Sequence, residues 1–171
     1  MNDPDFGGQN GESEIMSVVM RRLNAAPRSR GELFKYLLDK EFDSTLIEQV
    51  LDRVSSMGYI DDAAYAQEWV RSRHRSRGLA PSVLKRELIS KDVDLEVIEA
   101  ALEQLTPDNT DVRAYELAAK KYRSLMSVDH AIAVRRIASL LQRKGYPPGM
   151  CFQVAKETVG SDLDPDGELE R

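Results

Sequence analysis

The sequence predicts an all-α protein of three tandem three-helix repeats, which resemble helix-turn-helix units and stack into an elongated, curved body with disordered acidic termini. Apolar residues recur at spacings of three and four along the chain, as they do on the buried face of a helix. Glycine and proline fall mostly between these periodic stretches, where turns are expected. No stretch alternates apolar and polar residues as a half-buried strand would.

Capping residues and glycines mark the ends of the predicted helices. Ser29 with Glu32, and Thr45 with Glu48, have the spacing of a capping box. The other signals are the N-cap candidates Asp62 and Asp94, the first-turn prolines Pro81 and Pro148, and the terminal glycines Gly58, Gly78 and Gly145. The predicted helices cover residues 14–25, 30–41, 45–57, 62–77, 81–91, 95–105, 111–125, 129–144 and 148–159.

An internal repeat divides the helices into three groups. Residues 37–51 align with residues 88–102 at an offset of 51, and residues 140–155 form a weaker third copy at an offset of 53. A unit of about fifty residues buries only a marginal core, so the copies are expected to stack and to leave a concave side. The predicted organisation is a tail at 1–13, repeats at 14–58, 59–106 and 107–160, and a second tail at 161–171.

The net charge of −5 is distributed unevenly along the chain. Residues 1–14 and 161–171 each carry −4, which leaves +3 for the residues between them. Residues 71–91 carry +6, from Arg71, Arg73, Arg75, Arg77, Lys85, Arg86 and Lys91 against Glu87. This distribution argues against a protein that coats DNA indiscriminately, but it is compatible with one localised basic surface.

Several function classes are excluded by residues that the chain lacks. A single cysteine, Cys151, and two distant histidines, His74 and His130, allow neither a disulfide framework nor a cysteine-rich zinc site. The sequence has no phosphate-binding loop, dinucleotide fingerprint, zinc-protease motif or nucleophile elbow. We therefore expect no catalytic residues, no cofactor and no metal. An acidic N-terminus and the lack of a long apolar stretch predict a cytoplasmic protein without a membrane segment.

Three residue types that often carry chemistry are better explained by structure. Asp61 and Asp62 could be ligands of a metal-dependent nuclease, but adjacent carboxylates before a helix more commonly cap it. Cys151 aligns with isoleucines of the other repeats and is expected to be a buried apolar residue. His74 falls on the predicted core face of its helix, so we expect a packed side chain.

The helix predicted over 62–77 carries the main functional hypothesis. With Val70 at the centre of the buried stripe, Arg71 and Arg75 lie one turn apart on one flank. Tyr65 and Trp69 share the opposite flank, where Arg73 borders the core, while Arg77 lies near the core stripe at the helix end.

An electropositive surface is the favoured interpretation of the arginines. It would bind phosphates or the carboxylates of a partner, and it would continue through Lys85, Arg86 and Lys91. The alternative is a solvated face whose arginines pair with acids of neighbouring repeats. For Trp69, simple packing between repeats is the favoured interpretation.

Residues 58–91, GYIDDAAYAQEWVRSRHRSRGLAPSVLKRELISK, resemble the signature of the RecX family of bacterial regulatory proteins. Residues 29–54 are similar to the first repeat of that family, and residues 135–157 to its third. The resemblance spans about residues 14–158. The family usually has Lys-Gly after the middle helix of each repeat; this chain has Lys40-Glu41, Lys91-Asp92 and Lys144-Gly145.

The resemblance implies a non-enzymatic modulator of the recombinase RecA, acting in DNA repair, recombination and the SOS response. We expect the protein to be a monomer. Members of the family bind in the groove of the filament that RecA forms on single-stranded DNA, and they limit its extension, ATP hydrolysis, strand exchange and coprotease activity. In this chain, Arg71 and Arg75 would contact filament carboxylates or DNA phosphate. Lys85 and Arg86 would extend that surface, and Tyr65 and Trp69 would set its shape.

A second hypothesis is a free-standing DNA- or RNA-binding regulator, because three-helix units with a basic helix resemble helix-turn-helix modules. This hypothesis predicts tight binding to naked duplex with a sequence preference. A body charge of only +3 makes it the less attractive of the two.

Overall fold

The protein is described by a computed structural model over residues 6–160, with side chains over 11–160, and consists in that range of α-helices joined by turns and short loops. The described part contains nine α-helices and no β-strand, which confirms the predicted fold class. No helix in it combines the length and apolar character needed to cross a bilayer. The helices are α1 Phe6–Ala25, α2 Arg30–Leu38, α3 Ser44–Ser56, α4 Asp62–Arg77, α5 Pro81–Ile89, α6 Leu95–Leu102, α7 Pro107–Tyr122, α8 His130–Arg143 and α9 Pro148–Gly160.

Helix α1 begins at Phe6, whereas the sequence predicted a disordered tail to residue 13. Glycine lowers helix propensity, and this part of the chain holds three of them. Gly11, however, faces Leu46 of α3 so closely that an added Cβ would lie 3.2 Å from its Cδ1 atom. Packing against α3 therefore favours a helix where propensity alone does not. The rest of the predicted tails, residues 1–5 and 161–171, lies outside the described residues.

Two of the predicted helix caps are corrected by the structure. The capping box of Ser29 and Glu32 is formed as predicted, but that of Thr45 and Glu48 is not. Asp43 caps α3 instead, because its carboxylate accepts from the backbone N–H groups two and three residues later. At α4 the cap is Asp61, whose carboxylate accepts from the N–H of Ala64. The signal for α7, Thr106 followed by a proline, was missed by the sequence analysis.

The middle helices of the three repeats, α2, α5 and α8, end in the same backbone turn. The residue that leaves each helix has a positive φ: 64° at Glu41, 53° at Asp92 and 91° at Gly145. The next amide N–H then donates back across the turn, at Phe42, Val93 and Tyr146, to the carbonyls of Leu37, Leu88 and Leu141. The left-handed turn is kept in two repeats without the glycine that usually provides it.

The described residues form two compact units, each with a core of its own. The first contains residues 6–69 and 87–101, and the second contains residues 70–86 and 102–160. Helices α4 and α5 contribute to both units. In α4, residues 62–69 belong to the first unit and residues 70–77 to the second; in α5, residues 81–86 belong to the second unit and residues 87–89 to the first.

Each unit contains a dense apolar cluster. In the first unit α1, α2 and α3 pack around a buried group comprising Ile15, Val19, Leu33, Leu37, Ile47, Val50, Leu51, Val54 and Ile60. In the second unit α7, α8 and α9 pack around a group with many alanines: Ala80, Ala114, Ala118, Tyr122, Leu125, Ala133, Ile137, Ala138, Leu141, Tyr146, Cys151, Val154, Ala155 and Val159. Burial of these side chains is the main favourable term in the stability of each unit.

Candidate functional site

The residues that the sequence assigned to a partner-binding surface lie on α4, on α5 and just after α5, and they fall into two groups. Tyr65, Trp69 and Lys91 belong to the first unit. Arg71, Arg73, Arg75, Arg77, Lys85 and Arg86 belong to the second. The surroundings of the two groups differ in kind.

In the first unit, Tyr65, Trp69 and Lys91 join two glutamates to form what we call the aromatic–acidic cluster: Glu32, Tyr65, Trp69, Glu87 and Lys91. The rings of Tyr65 and Trp69, one helical turn apart on α4, have centroids 5.6 Å apart. The ammonium of Lys91 lies 4.6 Å from the centroid of the Trp69 ring and 2.7 Å from a carboxylate oxygen of Glu32. The Tyr65 hydroxyl donates to Glu32 at 3.2 Å, and the Trp69 indole N–H donates to Glu87 at 2.9 Å.

Glu32 is the residue that holds this cluster together. It is the third residue of α2, so its carboxylate also accepts from the Ser29 backbone N–H in the capping box. Burial by itself would raise the pKa of Glu32, but the hydrogen bonds from Lys91, Ser29 and Tyr65, with the charge of Lys91, outweigh burial and lower it. The carboxylate is therefore ionised at neutral pH.

The side chains of Lys91 and Glu32 are only 20% and 19% exposed. Their interactions are directed within the first unit, between the start of α2 and the end of α5. This favours the packing interpretation of Trp69, and it gives Lys91 a structural partner within the protein.

In the second unit, the arginines of α4 are more exposed. Arg71 and Arg75 are exposed and lie four residues apart on one face of the helix. Arg77 is exposed at the helix end, and Arg86 is exposed on α5. Two members are half-buried, Arg73 and Lys85. The structure therefore presents Arg71 and Arg75 together, as their spacing predicted.

Two further cations lie at the C-terminal end of α4, and the sequence analysis missed their role. The guanidinium of Arg113 on α7 donates to the backbone carbonyl of Arg75 at 2.6 Å. The ammonium of Lys144, just after α8, donates to the carbonyl of Arg77 at 2.7 Å. Both cations occupy the negative end of the helix dipole, where positive charge is favourable. These two hydrogen bonds join residues that are 38 and 67 positions apart in the sequence, so no local sequence pattern could have predicted them.

Asp61 and Asp62 cap two different helices. Asp61 caps α4, while the carboxylate of Asp62 accepts from the backbone N–H of Arg30 at 2.8 Å, at the start of α2. Burial raises the pKa of Asp62, and the hydrogen bond from Arg30 only partly offsets it. Across the residues that the structure describes, no group of three or more histidine, cysteine or carboxylate side chains could hold a metal.

His74 and Cys151 are buried, as the sequence predicted. The Nδ1 atom of His74 lies 2.9 Å from the carbonyl oxygen of Leu79, so that nitrogen carries the proton and donates. The Cys151 thiol donates to the Tyr146 carbonyl, and burial raises the pKa of the thiol. Neither group has the character of a reactive site.

Three family models match this chain in succession. They describe the first, second and third three-helix domains of RecX, and they match residues 16–53, 61–102 and 110–154. A curated relative from Streptomyces coelicolor, named "Regulatory protein RecX", is 38% identical over 155 residues, which cover 91% of this chain and 80% of the relative. The chain belongs to the RecX family.

Other RecX proteins are similar at comparable levels. The "Regulatory protein RecX" of Thermobifida fusca is 34% identical, over 85% of this chain and 79% of the relative. The crystal structure of RecX from Lactobacillus salivarius superposes with a TM-score of 0.77 at 21% identity, over 91% of this chain and 99% of that chain. The sequence relatives place the chain in a family of regulatory proteins, and the crystal structure establishes the shared fold.

Proposed function

We propose that this protein binds in the groove of the RecA–single-stranded DNA filament and limits filament extension, ATP hydrolysis, strand exchange and coprotease activity. The single observation that carries the proposal beyond family membership is the exposed pair Arg71 and Arg75, on one face of α4. These two guanidiniums would make charge-assisted contacts to carboxylates or phosphates of the filament.

The geometry of the pair favours recognition of a fixed array of anions. Residues four apart on a helix are separated by about 6 Å along its axis, so Arg71 and Arg75 would reach two neighbouring acceptors at once. The carbonyl of Arg75 is held by Arg113, and that of Arg77 by Lys144, which fixes the end of α4 that carries the pair. A rigid support lowers the entropy that is lost when the side chains bind.

Regulation without catalysis requires only differential binding. A protein that binds a filament unable to grow more tightly than a growing one shifts the population toward the former. Lys85 and Arg86 would extend the contact along α5. Tyr65, Trp69 and Lys91, bound in the aromatic–acidic cluster, would contribute by fixing the first unit in shape.

The proposal is tested by adding the protein to RecA that is hydrolysing ATP on single-stranded DNA. We expect the rate of ATP hydrolysis to fall as the protein is added, with saturation. A parallel titration of naked duplex at two salt concentrations measures DNA binding alone. An unchanged hydrolysis rate, together with nanomolar and sequence-selective binding to the duplex, would support a free-standing DNA-binding regulator and reject the proposal.

A further inference from the structure

The third repeat contains a basic cleft that the sequence analysis did not single out. It lies between α7 and α8, has a volume of about 510 Å³ and is lined by Lys121, Arg135, Arg136, Ser139 and Arg143. We call it the α7–α8 cleft. We propose that it is a second nucleic-acid site, which binds the phosphate backbone of single-stranded DNA without reading its sequence.

The spacing of the lining residues produces a row of cations. Arg135, Ser139 and Arg143 recur every four residues along α8, so they lie on one face of the helix. The rise of an α-helix separates the first from the last by about 12 Å along the axis. Arg136 borders the same face, and Lys121 faces it from α7.

The charges in this cleft are not neutralised by the described part of the protein. Arg135, Arg136 and Arg143 are exposed, and no carboxylate lines the cleft. Among residues 11–160, no ion pair or side-chain hydrogen bond joins these three arginines or Lys121 to an acid. This contrasts with the first unit, where Lys91 is bound to Glu32 and Lys35 to Asp92. Four close positive charges in a chain of net charge −5 repel one another unless an anion binds there.

The lining chemistry favours phosphate over an acidic peptide. Guanidinium groups match the paired oxygens of a phosphate, and the Ser139 hydroxyl can donate to one as well. None of the residues that line the cleft is aromatic, so no ring there would stack a base. A site with these groups binds the repeating charge of the backbone, and its binding is independent of sequence and sensitive to salt.

This inference goes beyond the proposed function and does not depend on it. The surface proposed for the filament is on α4 and α5, whereas the α7–α8 cleft would bind DNA without the recombinase. A test without RecA can therefore succeed or fail separately.

The test measures the fluorescence anisotropy of a labelled oligo-dT as full-length protein is added, at several salt concentrations. The variant is Arg135→Ala/Arg136→Ala/Arg143→Ala. Its control, Arg21→Ala/Arg53→Ala/Lys156→Ala, removes the same charge from exposed helical positions outside the cleft. Alanine is a strong helix former, so both proteins should fold, and far-ultraviolet circular dichroism would verify this.

We expect the wild type to bind oligo-dT with micromolar affinity at low salt, and the cleft variant to bind at least about tenfold more weakly. The plot of log affinity against log salt should lose about 2 units of slope, because each phosphate contact on a single strand contributes about 0.7. The control variant should lose less than about threefold in affinity and little slope.

Three results would overturn the inference. One is equal weakening in the cleft variant and in the control, which would mean that net charge alone controls binding. Another is a wild type that does not bind oligo-dT even at low salt. The third is displacement of the DNA by polyglutamate at the same concentration of charges, which would identify the cleft as a site for acidic peptides.

Discussion

The first and second repeats meet where α2 begins beside the end of α5, and the second and third repeats meet where α5 begins beside the end of α8. In the first junction, formed by residues 29–32 and 91–92, the Ser29 hydroxyl donates to the Lys91 carbonyl. In the second junction, formed by residues 80–83 and 144–145, the Ala80 backbone N–H donates to the Lys144 carbonyl at 2.9 Å. The same contact is thus built twice, with different donors.

The two junctions also differ in which side carries the glycine. In the first junction Gly31 faces Asp92, and an added Cβ would lie 2.5 Å from the Asp92 carbonyl oxygen. In the second junction Gly145 takes the position of Asp92 and faces Ser82, whose hydroxyl would lie 2.7 Å from an added Cβ. In the first junction the glycine leaves room for the backbone of Asp92, and in the second it leaves room for the side chains of Ser82 and Val83. The contact to the lysine carbonyl recurs in both junctions, while the glycine lies on α2 in the first and just after α8 in the second.

The largest expected effect is at Gly31. Replacement by alanine forces the backbone around Asp92 to move, and overpacking of this kind costs about 3 kcal/mol of unfolding free energy. Urea unfolding followed by circular dichroism measures the loss. The matched control is Gly149→Ala in α9, where an added Cβ meets nothing within 4 Å; it should be neutral or slightly stabilising.

The junctions can also be exchanged. In Gly31→Ser/Asp92→Gly the first junction receives the residues of the second, in which the Ser82 hydroxyl donates to the Gly145 carbonyl at 2.7 Å. We expect the double variant to recover part of the stability that Gly31→Ser alone loses, because Asp92→Gly removes the Asp92 Cβ atom but keeps the carbonyl oxygen that an added Cβ would also meet. Additive losses would show that the two positions do not share one close contact.

The next largest effect on stability is expected at Lys91, which holds the position in the second repeat that Lys144 holds in the third. Lys91→Met leaves the carboxylate of Glu32 in a largely buried place without its main partner, and it should cost about 2 kcal/mol. Lys144→Met removes a cation from an exposed carbonyl at the end of α4 and should cost about 0.5 kcal/mol. Urea unfolding of both variants gives the comparison. Equal costs would contradict the assignment of Lys91 to a buried cluster.

The same cluster predicts a dependence on pH. Because the pKa of Glu32 is lowered in the folded protein, its ionisation contributes stability that is fully present above the ordinary value of 4.5. That contribution is lost as the pH falls through the lower pKa of the folded state. Glu32→Gln should therefore be less stable than the wild type at neutral pH, and the difference should shrink below about pH 4.5. A difference that is constant from pH 7 to pH 3 would contradict this.

A smaller effect, of opposite sign, is expected at Tyr146, which follows Gly145 in the second junction. Its hydroxyl is buried and makes no hydrogen bond to the residues described, and burial raises the pKa of Tyr146 to about 12. Tyr146→Phe keeps the ring and removes the unsatisfied group, so it should stabilise the protein by about 1 kcal/mol. Thermal unfolding would detect a rise of a few degrees. A fall would mean that the hydroxyl has a partner.

The sequence predicted the helices, their grouping and several ends because these depend on local patterns. Apolar spacing, the capping box at Ser29 and the glycines at 58, 78 and 145 all act over a few residues. The positive φ of Glu41 and Asp92 has no local signal, since only alignment with Gly145 points to it. The need for glycine at residue 31 depends on a residue 61 positions away, so no local pattern could reveal it.

The candidate site was also predictable only in part, because some of its contacts join residues that lie far apart in the sequence. The spacing of Arg71 and Arg75 predicted their common exposed face. The sequence could not separate them from Lys91, because Glu32, which binds Lys91, lies in another repeat. It also could not assemble the α7–α8 cleft, whose cations come from two helices and form no strongly basic segment.

The most direct measurement is the protein concentration that halves the rate of ATP hydrolysis by RecA on single-stranded DNA. It compares the wild type with Arg71→Ala/Arg75→Ala and with the control Arg21→Ala/Arg53→Ala, which removes two other exposed cations. We predict that this concentration rises at least about tenfold for the α4 variant, as the loss of two charge-assisted contacts requires, and stays near the wild-type value for the control. An α4 variant that inhibits at the wild-type concentration would contradict the account.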